Sequence, residues 1–261
     1  MARAVVFGCQ GRTLRDTEAA FFRDANPWGF ILFQRNLETT DQIRRLTGDL
    51  RDAVGRDAPI LIDQEGGRVA RLTPPGWSGW TNALDFVSRL PTPAVRIAAM
   101  RLRYSVIAAE LRALGIDVNC APLGDIARPD TSPPIRERLY GTEPRAVAEL
   151  ARAVADGLAD GGVLPVLKHI PGHGRATLDS HFDLPRVTAS LKTLREGDFY
   201  PFRQLSDLPM GMTAHVVFEA LDPDRPATQS PDVIQTIRAE IGFDGLLLTD
   251  DLSMQALSGD F

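Results

Sequence analysis

Two rhythms of apolar positions take turns along this chain. Short, nearly continuous apolar runs occur at residues 5–7, 29–33, 59–62, 116–121, 163–167, 210–213 and 245–249, with the length and composition of buried strands. Between them the apolar positions spread to helical spacing. Residues 13–24 form the first such stretch, closed by Asn26-Pro27. Thr40 or Asp41 caps the second, whose inner face is Ile43, Leu46, Leu50 and Val54 and whose end is Gly55. A long helix is expected over 93–114, stopped by Gly115. Val147, Leu150, Ala151, Val154 and Leu158 mark the next, stopped by Gly161-Gly162. One more is expected over 190–205, and Ser230-Pro231 opens a last one, faced by Ile234, Ile237 and Ile241 and closed by Gly242.

Strand–helix alternation without a Gly-x-Gly-x-x-Gly turn favours a (β/α)8 TIM-type barrel over a nucleotide-binding open sheet. The polar residues agree. Asp63, Asp125, Lys168, His169, His215 and Asp250 each stand at or just past the C-terminal end of an expected strand. In a barrel those ends converge on one mouth, where active sites lie. Six runs end in mouth residues, whereas a closed barrel needs eight strand–helix units. Residues 5–7 would cover the barrel bottom or one edge. The expectation is therefore a single barrel domain over 1–261, C-terminally incomplete and without its last two units. On its own such a chain is expected to be poorly soluble or inactive, with the missing part supplying one wall of the mouth.

Composition narrows the partners. A net charge of −5 gives no electrostatic footprint for nucleic acid. The N-terminus lacks the shape of a signal peptide, and no run approaches a membrane span, so a cytoplasmic protein without a membrane partner is expected. The two cysteines, Cys9 and Cys120, lie inside apolar runs and read as buried free thiols.

The chemistry concentrates after residue 167. Of four histidines, His169, His173 and His181 fall between Lys168 and Pro185. Pro171, Gly172 and Gly174 break regular structure there, so a strand delivers Lys168 and His169 and a loop carries the rest. Three readings compete for this loop. It is a solvated turn-rich loop; or a metal site, which the Pro-Gly pair between His169 and His173 disfavours because the two cannot share a helix face; or an acid/base site. Asp179 and His181 flank one residue, and an aspartate beside an imidazole fixes its tautomer and suits it to proton transfer near neutral pH.

Elsewhere, Asp63 serves either as a hydroxyl acceptor or as a cap. Gly66-Gly67 allow a sharp turn that brings Arg68 and Arg71 near the mouth. Asp250 and Asp251 are adjacent, so one faces the site while the other is structural or caps the following turn. A carboxylate facing a His–Asp pair across a mouth has the logic of two-step glycoside hydrolysis.

The segments Ile62-Asp-Gln-Glu-Gly-Gly-Arg-Val-Ala-Arg-Leu72, Lys168-His-Ile-Pro-Gly-His-Gly, Asp179-Ser-His-Phe-Asp-Leu-Pro185, Met212-Thr-Ala-His-Val-Val217 and Thr249-Asp-Asp-Leu-Ser-Met254 resemble, in order, family 3 glycoside hydrolases. They are similar to the bacterial β-N-acetylhexosaminidase branch, whose histidine loop other branches lack. The resemblance implies a retaining hydrolase of cell-wall recycling, without metal or other cofactor. It would release β-linked N-acetylglucosamine from peptidoglycan fragments, the GlcNAc-anhydroMurNAc peptides. By matching positions, Asp250 would be the nucleophile, His181 the acid/base and Asp179 its partner. Asp63, Arg71, Arg138, Lys168 and His169 would hold the sugar. Two positions depart from the pattern. Arg175 stands where the family usually has an acidic residue, with loop mobility or the +1 subsite as the expected points of change. Arg136-Glu-Arg-Leu-Tyr-Gly141 replaces a more usual Asn-Arg-Ser/Ala-Phe-Gly. Rival readings are a phosphorylase on the same scaffold, a metal-dependent hydrolase using His169, His173 and His215, and a sugar-binding protein without turnover.

Overall fold

A computed structural model of the chain describes residues 1–176, 184–254 and 257. The elements follow one another as β1 (Arg3–Gly8), α1 (Asp16–Ala25), β2 (Pro27–Leu32), α2 (Thr40–Val54), β3 (Ile60–Ile62), α3 (Pro93–Ala113), β4 (Val118–Asn119), α4 (Pro144–Asp160), β5 (Leu164–Ile170), α5 (Tyr200–Gln204), β6 (Met210–Thr213), α6 (Pro231–Thr236) and β7 (Leu246–Thr249). Each strand pairs in parallel with the next in sequence, from β1 to β7. Stepwise parallel winding with helical crossovers is the construction of a (β/α) barrel, and it aligns the C-terminal strand ends on one side. The sheet is open among the described residues, with β1 and β7 as its outer strands.

Among the described residues the main sheet has seven strands, the six expected to end at the mouth and the opening strand. Residues 5–7 belong to a full strand that pairs with β2, so they cover an edge and not the barrel bottom. β7 is only partly covered, with Leu246 42% exposed, whereas β6 is buried throughout.

Alternation along the strands separates two apolar layers. Phe30, Leu32, Ile60 and Ile62 pack with Ile43, Leu46, Leu50, Tyr104, Ile107 and Leu111 from the helices. Leu61, on the other face of β3, joins Val118, Cys120, Val166, Met210 and Met212. Both cysteines are buried free thiols, as their apolar context suggested. Burial pushes the Cys9 thiol up to about 11.

Several boundaries move for local reasons. The cap of α2 is Thr39, whose hydroxyl accepts from Gln42 N, rather than Thr40 or Asp41. Within the run 116–121 the strand is Val118–Asn119, and backbone bonds from Asp117 N to Ile60 O and from Cys120 N to Ile62 O flank it, while the Asp117 side chain accepts from Ile60 N at 2.8 Å. β5 runs on to Ile170, so Lys168 and His169 lie inside its last residues rather than beyond it. The stretch 190–205 is not one helix. Ser190 caps Leu191–Thr193, the turns widen over Leu194–Asp198, and α5 begins afresh with Pro201 near its start, where the missing N–H is tolerated. No helix among the described residues is long and apolar enough to cross a membrane.

Candidate active site

The mouth is built outward from the end of β3. Asp63 follows Ile62 directly, and Gln64–Gly66 pairs antiparallel with Val69–Ala70 around the Gly66-Gly67 turn. Both glycines have positive φ, +98° and +59°, a conformation costly for any side chain with a Cβ. Gln64 fixes this hairpin from within. Its Oε1 accepts from Arg71 N and Leu72 N, its Nε2 donates to Leu72 O, and its backbone exchanges two hydrogen bonds with the Asn119 side chain. Asp63 and Glu65, two residues apart, point to the same side.

Lys168 joins those two carboxylates. Its Nζ lies 2.9 Å from Asp63 Oδ1 and 2.7 Å from Glu65 Oε1, with the lysine 2% exposed. Arg71 reaches Asp63 Oδ2 at 3.3 Å. Arg138 grips Glu65 with two parallel bonds, Nε to Oε2 at 2.9 Å and Nη2 to Oε1 at 2.8 Å. Burial alone would raise the Asp63 carboxyl, but Lys168 and Arg71 outweigh it and hold it below the usual carboxylate range. Glu65 is lowered in the same way, with Arg138 and Lys168 overcoming its burial. Lys168 is raised above the usual lysine value because Asp63 and Glu65 outweigh its own burial. The cluster is thus fully ionised across the neutral range.

A second line of contacts crosses the mouth. The fully buried Asp125 accepts from His169 Nδ1 at 2.7 Å and from His173 N at 2.6 Å. On the far side of the ring, His169 Nε2 lies 3.9 Å from Asp250 Oδ2. Asp250 and Asp251 divide their roles as adjacency suggested. Asp250 faces His169, while Asp251 accepts from Ser253 N and Oγ and caps the following turn. Both nitrogens of His215 are engaged, Nδ1 with the Thr228 hydroxyl at 2.7 Å and Nε2 with the Asp251 carbonyl at 3.1 Å. Among the described residues, no group of three histidine, cysteine, aspartate or glutamate side chains is arranged to hold a metal ion.

The structure therefore gathers Asp63, Arg71, Arg138, Lys168, His169 and Asp250 at one mouth. Asp179 and His181 lie outside the described residues. Arg68 departs from expectation: the Gly66-Gly67 turn sends it outward to Glu137 at 3.4 Å, on a half-exposed surface. Arg175 is tied down by the buried Asp198, to which its Nε donates at 2.8 Å and which also accepts from Arg128. Gly174 beside it packs so closely on the Ile126 backbone that a Cβ would fall 1.9 Å from Ile126 O. The sequence reading missed Glu65, although its strand spacing from Asp63 was a usable signal. It also missed Phe33, whose ring lies under the Arg35 guanidinium at 4.5 Å and 5.9 Å from that of Arg71. The Arg35 contact is local, two residues on, whereas the approach of Arg71 depends on a loop distant in sequence.

His173 supplies a pH test. Burial first, and then the neighbouring His169, push its imidazole from 6.5 down to about 4. The unfolded chain takes up this proton near pH 6.5, but the folded protein only near pH 4. The contribution to stability is thus present above the unfolded value and is lost as pH falls between the two, by ~3 kcal/mol in all. Urea unfolding is expected to show this acid-side slope, reduced in His173→Asn. Equal slopes in both proteins would remove the assignment.

Comparison with known proteins points to one family. The family model described as Glycosyl hydrolase family 3 N terminal domain matches residues 6–260. A β-hexosaminidase of Alkalilimnicola ehrlichii is 37% identical over 97% of this chain and 73% of its own length. NagZ from Neisseria gonorrhoeae, solved in complex with N-trifluoroacetyl-D-glucosamine, superposes with a TM-score of 0.88 at 34% identity, covering 97% of this chain and 75% of that one. A family 3 β-N-acetylglucosaminidase from Paenibacillus gives a TM-score of 0.87 at 34% identity, and there the chain spans about half, 48%, of the solved protein. The chain belongs to glycosyl hydrolase family 3 and is of the glycoside hydrolase class.

Proposed function

We propose that this protein is a retaining β-N-acetylhexosaminidase that removes terminal β-linked N-acetylglucosamine from peptidoglycan fragments in the cytoplasm. The observation that carries the reading is the placement of Asp250. It stands partly open to solvent beside His169, next to the cluster in which Lys168, Arg71 and Arg138 hold Asp63 and Glu65. A carboxylate so placed attacks the anomeric carbon and forms a glycosyl ester. Asp63, Lys168, Arg71, Arg138 and His169 hold the sugar, whose hydroxyls need both donors and acceptors. His181, oriented by Asp179, protonates the leaving oxygen and then activates water for the second step. The reading is supported by the family membership and by the order and spacing of the five quoted motifs. The peptidoglycan origin of the substrate rests on the motif resemblance.

The test is turnover of a chromogenic β-N-acetylglucosaminide beside the matching β-glucoside, with and without phosphate. Preference for the former without a phosphate requirement is expected; preference for the glucoside, or dependence on phosphate, would refute the reading. In the same assay His181→Ala is expected to slow poor leaving groups by about 10²–10⁴-fold, and activated aryl ones far less, because only the former need a proton. Equal losses across leaving groups would contradict the acid role.

A further inference from the structure

Asp125 is the most enclosed carboxylate of the mouth, with 0% of its surface exposed. It lies just beyond β4, in the stretch that follows the strand, and meets β5 side-on. Its two oxygens receive three N–H groups from two residues. His169 N lies 3.2 Å from Oδ2, His173 N lies 2.6 Å from Oδ1, and His169 Nδ1 lies 2.7 Å from Oδ2. Burial would raise this carboxyl, but His169 and the hydrogen bonds outweigh it and keep it low. An ionised carboxylate can only accept, so the proton of this contact sits on Nδ1. The ring is then fixed in orientation, and Nε2 is turned to the opposite side, where Asp250 Oδ2 lies 3.9 Å away. The bond to His173 N holds the chain after the Pro171-Gly172 turn to the same carboxylate, so the strand end and the loop base share one anchor.

We propose that Asp125 is a positioning residue for His169, holding Nδ1–H inward so that Nε2 is presented as an acceptor to a sugar hydroxyl beside the carbon that Asp250 attacks. The placement of that hydroxyl rests on the glycosidase reading above; the tautomer does not. Asp125→Asn is the sharpest variant, because its shape is unchanged while its amide donates. The amide NH₂ would face Nδ1 and favour the Nε2–H tautomer, turning an acceptor in the pocket into a donor.

The experiment is ¹⁵N NMR of the enzyme with labelled histidine, joined to kinetics. In the wild type the neutral ring of His169 is expected as the Nδ1–H tautomer, and in Asp125→Asn as Nε2–H. The kcat/KM of Asp125→Asn on the β-N-acetylglucosaminide is expected to fall by about 10²–10⁴-fold, the range for a misplaced imidazole and for lost outer-shell partners. Added to His169→Ala, the same change is expected to cost less than about threefold, because residues acting through one another are not additive. A wild-type His169 with the proton on Nε2 overturns the proposal without any variant having to fold. So does full additivity in the double variant, which would leave Asp125 a structural role only. If no glycoside is turned over, the functional reading fails, and the wild-type tautomer still decides this one.

Discussion

Asp250→Ala is expected to lower kcat by about 10⁴-fold or more, the scale on which removal of a covalent nucleophile acts. The fold is expected to persist. Asp250 is only partly buried, its contact with His169 is long at 3.9 Å, and its own Oδ1 accepts from the adjacent Asp251 N. Asp251→Asn is the control, with a far smaller loss, since Asp251 serves the turn at Ser253 and not the pocket. A 5-fluoro N-acetylglucosaminide, which keeps the acetamido group and slows the second step, is expected to label Asp250 covalently. Labelling at Asp251, or an oxazoline product with no labelled carboxylate, would replace the two-step reading by substrate-assisted chemistry.

Lys168→Met is expected to have the largest effect on stability, about 3–5 kcal/mol, the range for removing one partner of a buried ion pair. The lysine is the shared cation of Asp63 and Glu65. Methionine fills much of the same volume, so packing is nearly kept and the loss is electrostatic. Arg71 remains for Asp63 at only 3.3 Å, whereas Glu65 keeps both bonds from Arg138, so Asp63 is left the poorer of the two. The sign with pH follows from the shifts. In the wild type the carboxyls are depressed, so their contribution is present above the ordinary carboxylate range and is lost as pH falls below it. The raised Lys168 contributes below the ordinary lysine value and loses that contribution as pH rises above it. Without Lys168 the carboxyls climb, and acid relieves the variant before it harms the wild type. The stability gap is therefore expected to narrow from pH 7.5 to pH 5 in urea titrations. A gap below about 1 kcal/mol, or one unchanged with pH, would show that the cluster is not what holds the mouth together.

Much of the architecture was legible in the chain alone. Apolar runs of strand length alternating with helical stripes placed every strand of the sheet within a few residues. The alternation is imposed by burial on both faces of a parallel sheet, so it survives in the sequence. The polar residues at strand ends were legible for the same reason, because a residue one step beyond a buried run must face the mouth. Asp63, Lys168, His169 and Asp250 were found in this way. Residues 190–205 misled, because helical spacing does not register the widened turns before Pro201.

Tertiary structure decided the partnerships. Glu65 reads as one more charge in a polar hairpin, and Arg138 as one of several arginines in a Pro-rich loop. Their bidentate pairing spans 73 residues, and Asp125 meets His169 across 44. Such contacts depend on which strand ends become neighbours, and no local spacing encodes that. The sequence by itself determined where buried surface and strand ends would lie, because desolvation acts on each residue type wherever it stands. Which carboxylate neutralises which cation was settled only when the parallel strands came side by side, because a buried charge is stable only next to its partner.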